Sequence, residues 1–113
     1  MTKLELMKGT LDMLVLRTLR HGPMHGYAVA RWIKEVTENV FQIKEGALYP
    51  ALHRLEERGW VEAEWGASKK NRKARFYQLT PAGRKALANE AGTWRRYIGA
   101  VAKVMDPSPE EGS

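Results

Sequence analysis

A mainly α-helical domain with a small β-hairpin and one long C-terminal helix is the fold class this sequence predicts, and three observations predict it. Apolar residues recur at steps of three and four through three successive stretches as far as Arg58. The period then changes to two. Finally, Thr80-Pro81 opens a run of about 25 residues that meets a breaker only at Asp106-Pro107.

The first stretch runs from about Leu4 to Leu19, with Leu4, Met7, Leu11, Leu14, Val15 and Leu19 on one helical face and Gly9 as a point of division. His21-Gly22-Pro23 stops it, because Gly tolerates left-handed backbone and Pro cannot continue a helix. A second amphipathic stretch follows Gly26, with Val29, Ile33, Val36 and Val40 on one side. The third runs from about Gly46 to Arg58, with Leu48, Leu52 and Leu55 inward and Gly59 as its C-terminal stop. Pro50 is comfortable only in a first turn, so this helix is expected to start late or to kink there.

After Gly59, Val61, Ala63 and Trp65 alternate with Glu62 and Glu64, the pattern of a half-buried strand. A second strand is expected over Arg75 to Leu79, which leaves the intervening basic residues in the connection of a hairpin. Thr80 as N-cap and Pro81 at the first helical position start the last helix, which is expected to end near Met105. At ~1.5 Å per residue it is nearly 40 Å long and must project from a domain whose radius of gyration is ~13 Å. The order helix, helix, helix, hairpin, helix is the layout of a winged helix-turn-helix with one long extra helix. Residues 1–80 are therefore read as a DNA-binding domain, residues 1–21 adding to a dimer interface. Residues 81–105 are read as a dimerisation helix and 106–113 as a disordered tail.

With 113 residues the chain is read as one domain rather than two. It holds no cysteine, which removes disulfides and thiolate chemistry together. Its longest stretch without Asp, Glu, Lys or Arg is the ten residues His21 to Ala30, far short of the ~20 apolar residues of a membrane span. The expectation is a soluble, cytoplasmic protein. The net charge of +6 comes from 19 basic and 13 acidic residues. Lys69, Lys70, Arg72, Lys73 and Arg75 lie within seven positions without an acid, and the remaining chain holds 14 basic against 13 acidic residues. The surplus is thus local and points to an anionic partner.

Enzymatic readings fail on inventory. Serine occurs only at Ser68, Ser108 and Ser113, where no base could be held beside a nucleophile, and the Gly-rich phosphate loops and the HExxH pattern are absent. His21 and His25 are four apart, but the intervening Gly22 and Pro23 destroy a shared helical face, so they are read as turn residues rather than metal ligands. No cofactor is expected.

The third helix offers a better candidate. Lys44, Tyr49, His53 and Arg54 fall opposite its inward leucines and can donate hydrogen bonds to phosphates and base edges in a major groove. An ordinary surface helix would look similar, and Glu45, Glu56 and Glu57 would repel phosphate. Five cations on an adjoining hairpin shift the balance toward double-stranded DNA, the wing residues Lys69, Lys70, Arg72, Lys73 and Arg75 gripping the backbone. On the last helix, Leu87, Ala91, Trp94, Ile98, Val101 and Met105 form a heptad seam, read as a homodimer interface shared with the first helix. Trp94 is either an interface residue or a stacking platform for a planar ligand.

Three blocks carry a resemblance to a known family. Gly-Pro-Met-His-Gly-Tyr (22–27), Glu-Gly-Ala-Leu-Tyr-Pro-Ala-Leu-His-Arg-Leu-Glu-Glu-Arg-Gly-Trp (45–60) and Arg-Phe-Tyr-Gln-Leu-Thr-Pro-Ala-Gly (75–83) resemble the PadR-like transcriptional regulators, and the short C-terminal part resembles their small subfamily. The resemblance implies a homodimeric winged-helix repressor that binds a pseudo-palindromic operator, third helix in the major groove and wing on the flanking backbone. It also implies that Leu-Tyr-Pro opens the recognition helix, and that Trp94 matches a tryptophan that stacks flat aromatic effectors at the dimer interface. Arg95 and Arg96 beside that ring would not welcome cationic compounds. The rival readings are a winged-helix protein-interaction module that does not bind DNA and, more remotely, a basic peripheral membrane protein.

Overall fold

The computed structural model describes residues 4–7 and 9–106. Its elements are α1 (Thr10–Leu19), β1 (Met24–His25), α2 (Gly26–Val36), α3 (Glu45–Glu57), β2 (Val61–Ala67), β3 (Lys73–Leu79) and α4 (Pro81–Met105). Three helices and a small antiparallel sheet form a winged helix, and the long C-terminal helix leaves it. The core joins Val15, Leu16 and Leu19 of α1, Val29 and Ile33 of α2, and Leu48, Leu52 and Leu55 of α3 to Val61, Tyr77, Leu79 and Leu87. The periodicity of all three helices is thus the pattern of one shared core.

The first helix is shorter than expected. Gly9, the N-cap, stands at φ 87°, left-handed backbone, and α1 begins only at Thr10. Met7 is 74% exposed, and Leu4 is tied to the loop after α2 by its backbone N–H on the Val40 carbonyl, 2.9 Å. Neither belongs to an inward helical face. In α2 the apolar side ends early. Glu38 and Asn39 adopt positive φ, the helix closes at Val36, and Val36 is exposed while Val40 lies beyond the end.

Pro50 contradicts the expected late start of the third helix. α3 opens at Glu45, so Pro50 stands at its sixth position. The missing N–H leaves only the Gly46 carbonyl without its partner four residues on, and Gly46 is exposed, so water can satisfy that oxygen.

The hairpin is larger than predicted and has a third strand. β2 and β3 pair from Val61↔Leu79 to Ala67↔Lys73, so Lys73 and Arg75 lie in the strand and only residues 68–72 make the connection. Within that loop Ser68 Oγ accepts from the Arg72 N–H at 3.3 Å, and Asn71 takes a positive φ. β1 adds on the other edge of β3, Met24↔Tyr77 and His25↔Phe76, giving the order β1-β3-β2. A strand of two residues shows no period, so nothing in the hydrophobic pattern announces it.

α4 starts as expected. Thr80 Oγ1 accepts from the Gly83 N–H at 3.0 Å and donates to the Gly59 carbonyl at 2.7 Å. Of this helix only Gly83, Ala86 and Leu87 are buried, so its second half projects. The principal extents of 60 × 33 × 21 Å and a radius of gyration of 16.5 Å record that projection. Asp106 is the last described residue, and the expected tail, residues 107–113, lies outside the described residues. No described helix is long and apolar enough to cross a membrane.

Candidate nucleic-acid interface

Helix α3 buries Leu48, Ala51, Leu52 and Leu55, which turns Tyr49, His53 and Arg54 outward. Its register on α2 depends on Gly26. A Cβ there would stand 2.9 Å from Tyr49 Cε1, so the ring of Tyr49 lies directly on the first residue of α2. The N-terminus of α2 is capped by His25, whose Nδ1 accepts from the Ala28 N–H at 3.2 Å. His25 is therefore a structural cap beside the turn. His21 rests against Trp32, ring centroids 4.9 Å apart.

Between α2 and α3 runs an open groove of about 750 Å³, lined among others by Tyr27, Arg31, Lys34, Lys44, Glu45 and Tyr49. Sequence reasoning supplied Lys44 and Tyr49 but missed the α2 side. Tyr27, Arg31 and Lys34 fall at i, i+4 and i+7 on the exposed face of α2, a signal that was present in the sequence. Arg31 is held by Glu35 one turn on, at 3.0 Å, and this hydrogen bond and the charge of Glu35 raise its pKa above the usual arginine value.

The outward cations differ in what holds them. Arg54 makes two bonds to Asp12 of α1, at 2.7 and 3.2 Å, and this pairing raises its pKa above the usual arginine value. Arg58 approaches the same carboxylate at 3.8 Å. Asp12 thus clamps α1 to the C-terminal half of α3, and the guanidinium of Arg54 is already engaged within the chain. His53 faces Glu57 at 3.0 Å. Lys44, at the N-cap of α3, makes no side-chain capping bond.

On the wing, Arg75 reaches back to Glu56 of α3 at 3.1 Å and lies over the Tyr77 ring at 5.9 Å. It ties the outer part of the hairpin back to α3 instead of extending the tip. Lys73 sits over the Trp65 ring, Nζ 5.0 Å from the centroid. Lys69, Lys70 and Arg72 occupy the tip, exposed, and among the described residues no carboxylate pairs with them. Trp65, expected on a half-buried face, is 64% exposed. It does lie on the face of the sheet that continues the core, but the hairpin has already left the core at that point.

The heptad seam of α4 is graded. Leu87 packs in the core, Ala91 and Trp94 are half-buried, and Ile98, Val101 and Met105 are exposed. Trp94 stacks with Tyr97 at 6.0 Å and lines a cleft of about 280 Å³ between α1 and α4, with Met7, Thr10, Met13, Glu90 and Thr93. Among the described residues, the charged one lining that cleft is an acid, Glu90. Arg95 and Arg96, expected to colour it, are not among its lining residues.

Residues 15–89 match the family described as transcriptional regulator PadR-like. The chain is 32% identical over 94 residues to an uncharacterized protein X of Lysinibacillus sphaericus, covering 83% of this chain and 86% of that one. It is 31% identical over 87 residues to the transcriptional regulator Rv3488 of Mycobacterium tuberculosis, covering 76% and 77%. The crystal structure of a PadR family transcriptional regulator from Eggerthella lenta superposes with a TM-score of 0.75 at 30% identity, covering 89% of this chain and 86% of that one.

Proposed function

The chain belongs to the PadR-like family of transcriptional regulators, and from that premise we propose that it acts as a homodimeric repressor that binds a pseudo-palindromic operator. It is a regulator and not an enzyme. Residues 1–80 form the DNA-binding unit and 81–105 the dimerisation helix. Lys44, Tyr49 and His53 enter or flank the major groove, and Arg31 and Lys34 of α2 face the adjacent phosphates. Arg54 contributes when Asp12 releases it.

The observation that carries this reading is the wing tip. Lys69, Lys70 and Arg72 project without a carboxylate partner among the described residues, from a hairpin that Arg75 ties to α3 through Glu56. Unpaired cations in that position neutralise phosphates and release counterions, which gives affinity without sequence choice. Two copies joined along the exposed part of α4 would present two α3 helices to half-sites about 34–36 Å apart, or a multiple of that. The cleft beside Trp94 would accept a small planar effector whose binding releases the DNA.

A mobility-shift titration on the DNA upstream of the protein's own gene tests this reading. Changing Lys69, Lys70 and Arg72 to Gln should weaken binding to all sequences alike and flatten the salt dependence by ~0.9 log unit per lost phosphate contact. Absence of binding at low salt would instead support the protein-interaction module.

A further inference from the structure

One exposed aromatic on the wing is left without a role by the reading above. Trp65 stands opposite Arg75 in the β2–β3 register, and Lys73 is its diagonal neighbour on the same face. Along that face the pairs run outward from Val61 and Leu79 through Ala63 and Tyr77 to Trp65 and Arg75. Trp65 is therefore two residues, ~7 Å at ~3.3 Å each, beyond the last core pair, Ala63 and Tyr77. Because Arg75 bonds Glu56 of α3 from this same face, the indole is presented on the α3 side of the wing.

The ring is held, not loose. Lys73 over its face restricts it, and beneath it on the opposite face Phe76 covers Gly66, where a Cβ would stand 3.0 Å from the Phe76 ring. Phe76 in turn meets His25 edge-on at 5.5 Å, which braces the hairpin against β1. The ribbon thus presents a mostly solvated indole in a fixed position.

The charges decide which partner. From Trp65 to Phe76 the chain holds no acid; Lys73 lies over the ring, and Lys69, Lys70 and Arg72 follow in the loop at the tip of the same hairpin. A surface that accepts the indole must combine an apolar slot with flanking anions. The minor groove of duplex DNA has this form, with sugar walls between two rows of phosphate.

We propose that Trp65 is a specificity-determining contact of the wing, packing into the minor groove that flanks the half-site read by α3 and favouring base pairs without the guanine 2-amino group. This rests on the DNA-binding reading above. Lys73 holds the ring at the groove mouth, and the tip cations bracket it on the phosphates.

The test compares wild-type protein and the Trp65→Ala and Trp65→Phe variants on three duplexes that keep the bound upstream half-sites and carry A·T, I·C or G·C pairs only in the segments flanking them. Inosine pairs share their major groove with G·C and their minor groove with A·T. Wild type should bind A·T and I·C duplexes alike and more tightly than G·C. Trp65→Ala should weaken the A·T and I·C complexes about tenfold, the typical cost of truncating an interface aromatic, and lose the preference. Its salt dependence should be unchanged, because an indole releases no counterions. Trp65→Phe should retain part of the preference. Ranking of I·C with G·C by wild type, equal affinities for wild type and Trp65→Ala, or a changed oligomeric state in Trp65→Ala would each overturn the proposal while leaving DNA binding intact. Failure of the wild type to bind any of the duplexes would overturn both readings.

Discussion

Gly83 lies against the backbone of Trp60 so closely that a Cβ built on it would stand 2.8 Å from the Trp60 carbonyl carbon and closer still to its oxygen. The same carbonyl accepts the Thr80 N–H at 3.0 Å. The first turn of α4 is therefore seated directly on the start of the hairpin, with no side chain between them.

Gly83→Ala should destabilise the protein by about 3 kcal/mol, the upper range for overpacking, because the clash is with backbone that cannot rotate away. Gly46→Ala is the control. Nothing lies within 4 Å of a Cβ at Gly46, and the change should add ~0.5 kcal/mol of helix stability. Urea denaturation of both variants checks the contrast.

The Gly26–Tyr49 contact predicts a coupling. Gly26→Ala should cost about 1 kcal/mol in the wild-type background, where the new methyl meets the Tyr49 ring at 2.9 Å. In a Tyr49→Ala background the cost should disappear. A double-mutant cycle showing additive effects would mean that Tyr49 does not set the register of α2 on α3.

On α4 the seam residues should divide by depth. Leu87, in the core, should cost about 2–5 kcal/mol on truncation to Ala. Ile98→Asp, on the exposed half of the seam, should leave the fold intact and weaken self-association at least ~30-fold, since a charge would have to be buried between copies. Analytical ultracentrifugation alongside circular dichroism separates the two outcomes.

Tyr77 makes the protein sensitive to alkali. Burial raises the pKa of its phenol above the ordinary value of 10.0, opposed by the charge of Arg75 and assisted by Glu56 and Tyr49. The phenol is neutral in the fold when the unfolded chain has begun to ionise. Its stabilising effect is therefore complete below the unfolded pKa near 10.0 and is lost as pH rises through the higher folded pKa. Stability should fall from about pH 10 upward, and Tyr77→Phe should flatten that fall. Denaturant midpoints measured from pH 8 to 11 are the check.

Much of the architecture was legible in the residues themselves. Three leucines at helical spacing in α3, the switch to alternation after Gly59 and the Thr80-Pro81 start are local patterns, and each became the element expected. The family blocks identified the fold and its regulatory class for the same reason, because they are contiguous. The local accumulation of charge at 69–75 also lies in the chain, without reference to any neighbour.

Tertiary structure decided what those side chains face. Arg54 and Asp12 are 42 residues apart and Arg75 and Glu56 are 19 apart, so no periodic pattern reveals that these two expected DNA contacts are held by carboxylates of other elements. Alternation assigned Trp65 to the correct face of its strand but could not show where the core stops beneath that face. The heptad on α4 likewise gave a stripe and not its division between the core and the projecting helix. Sequence periodicity fixes the direction of a side chain relative to its own element, whereas burial and charge pairing depend on elements brought close by folding.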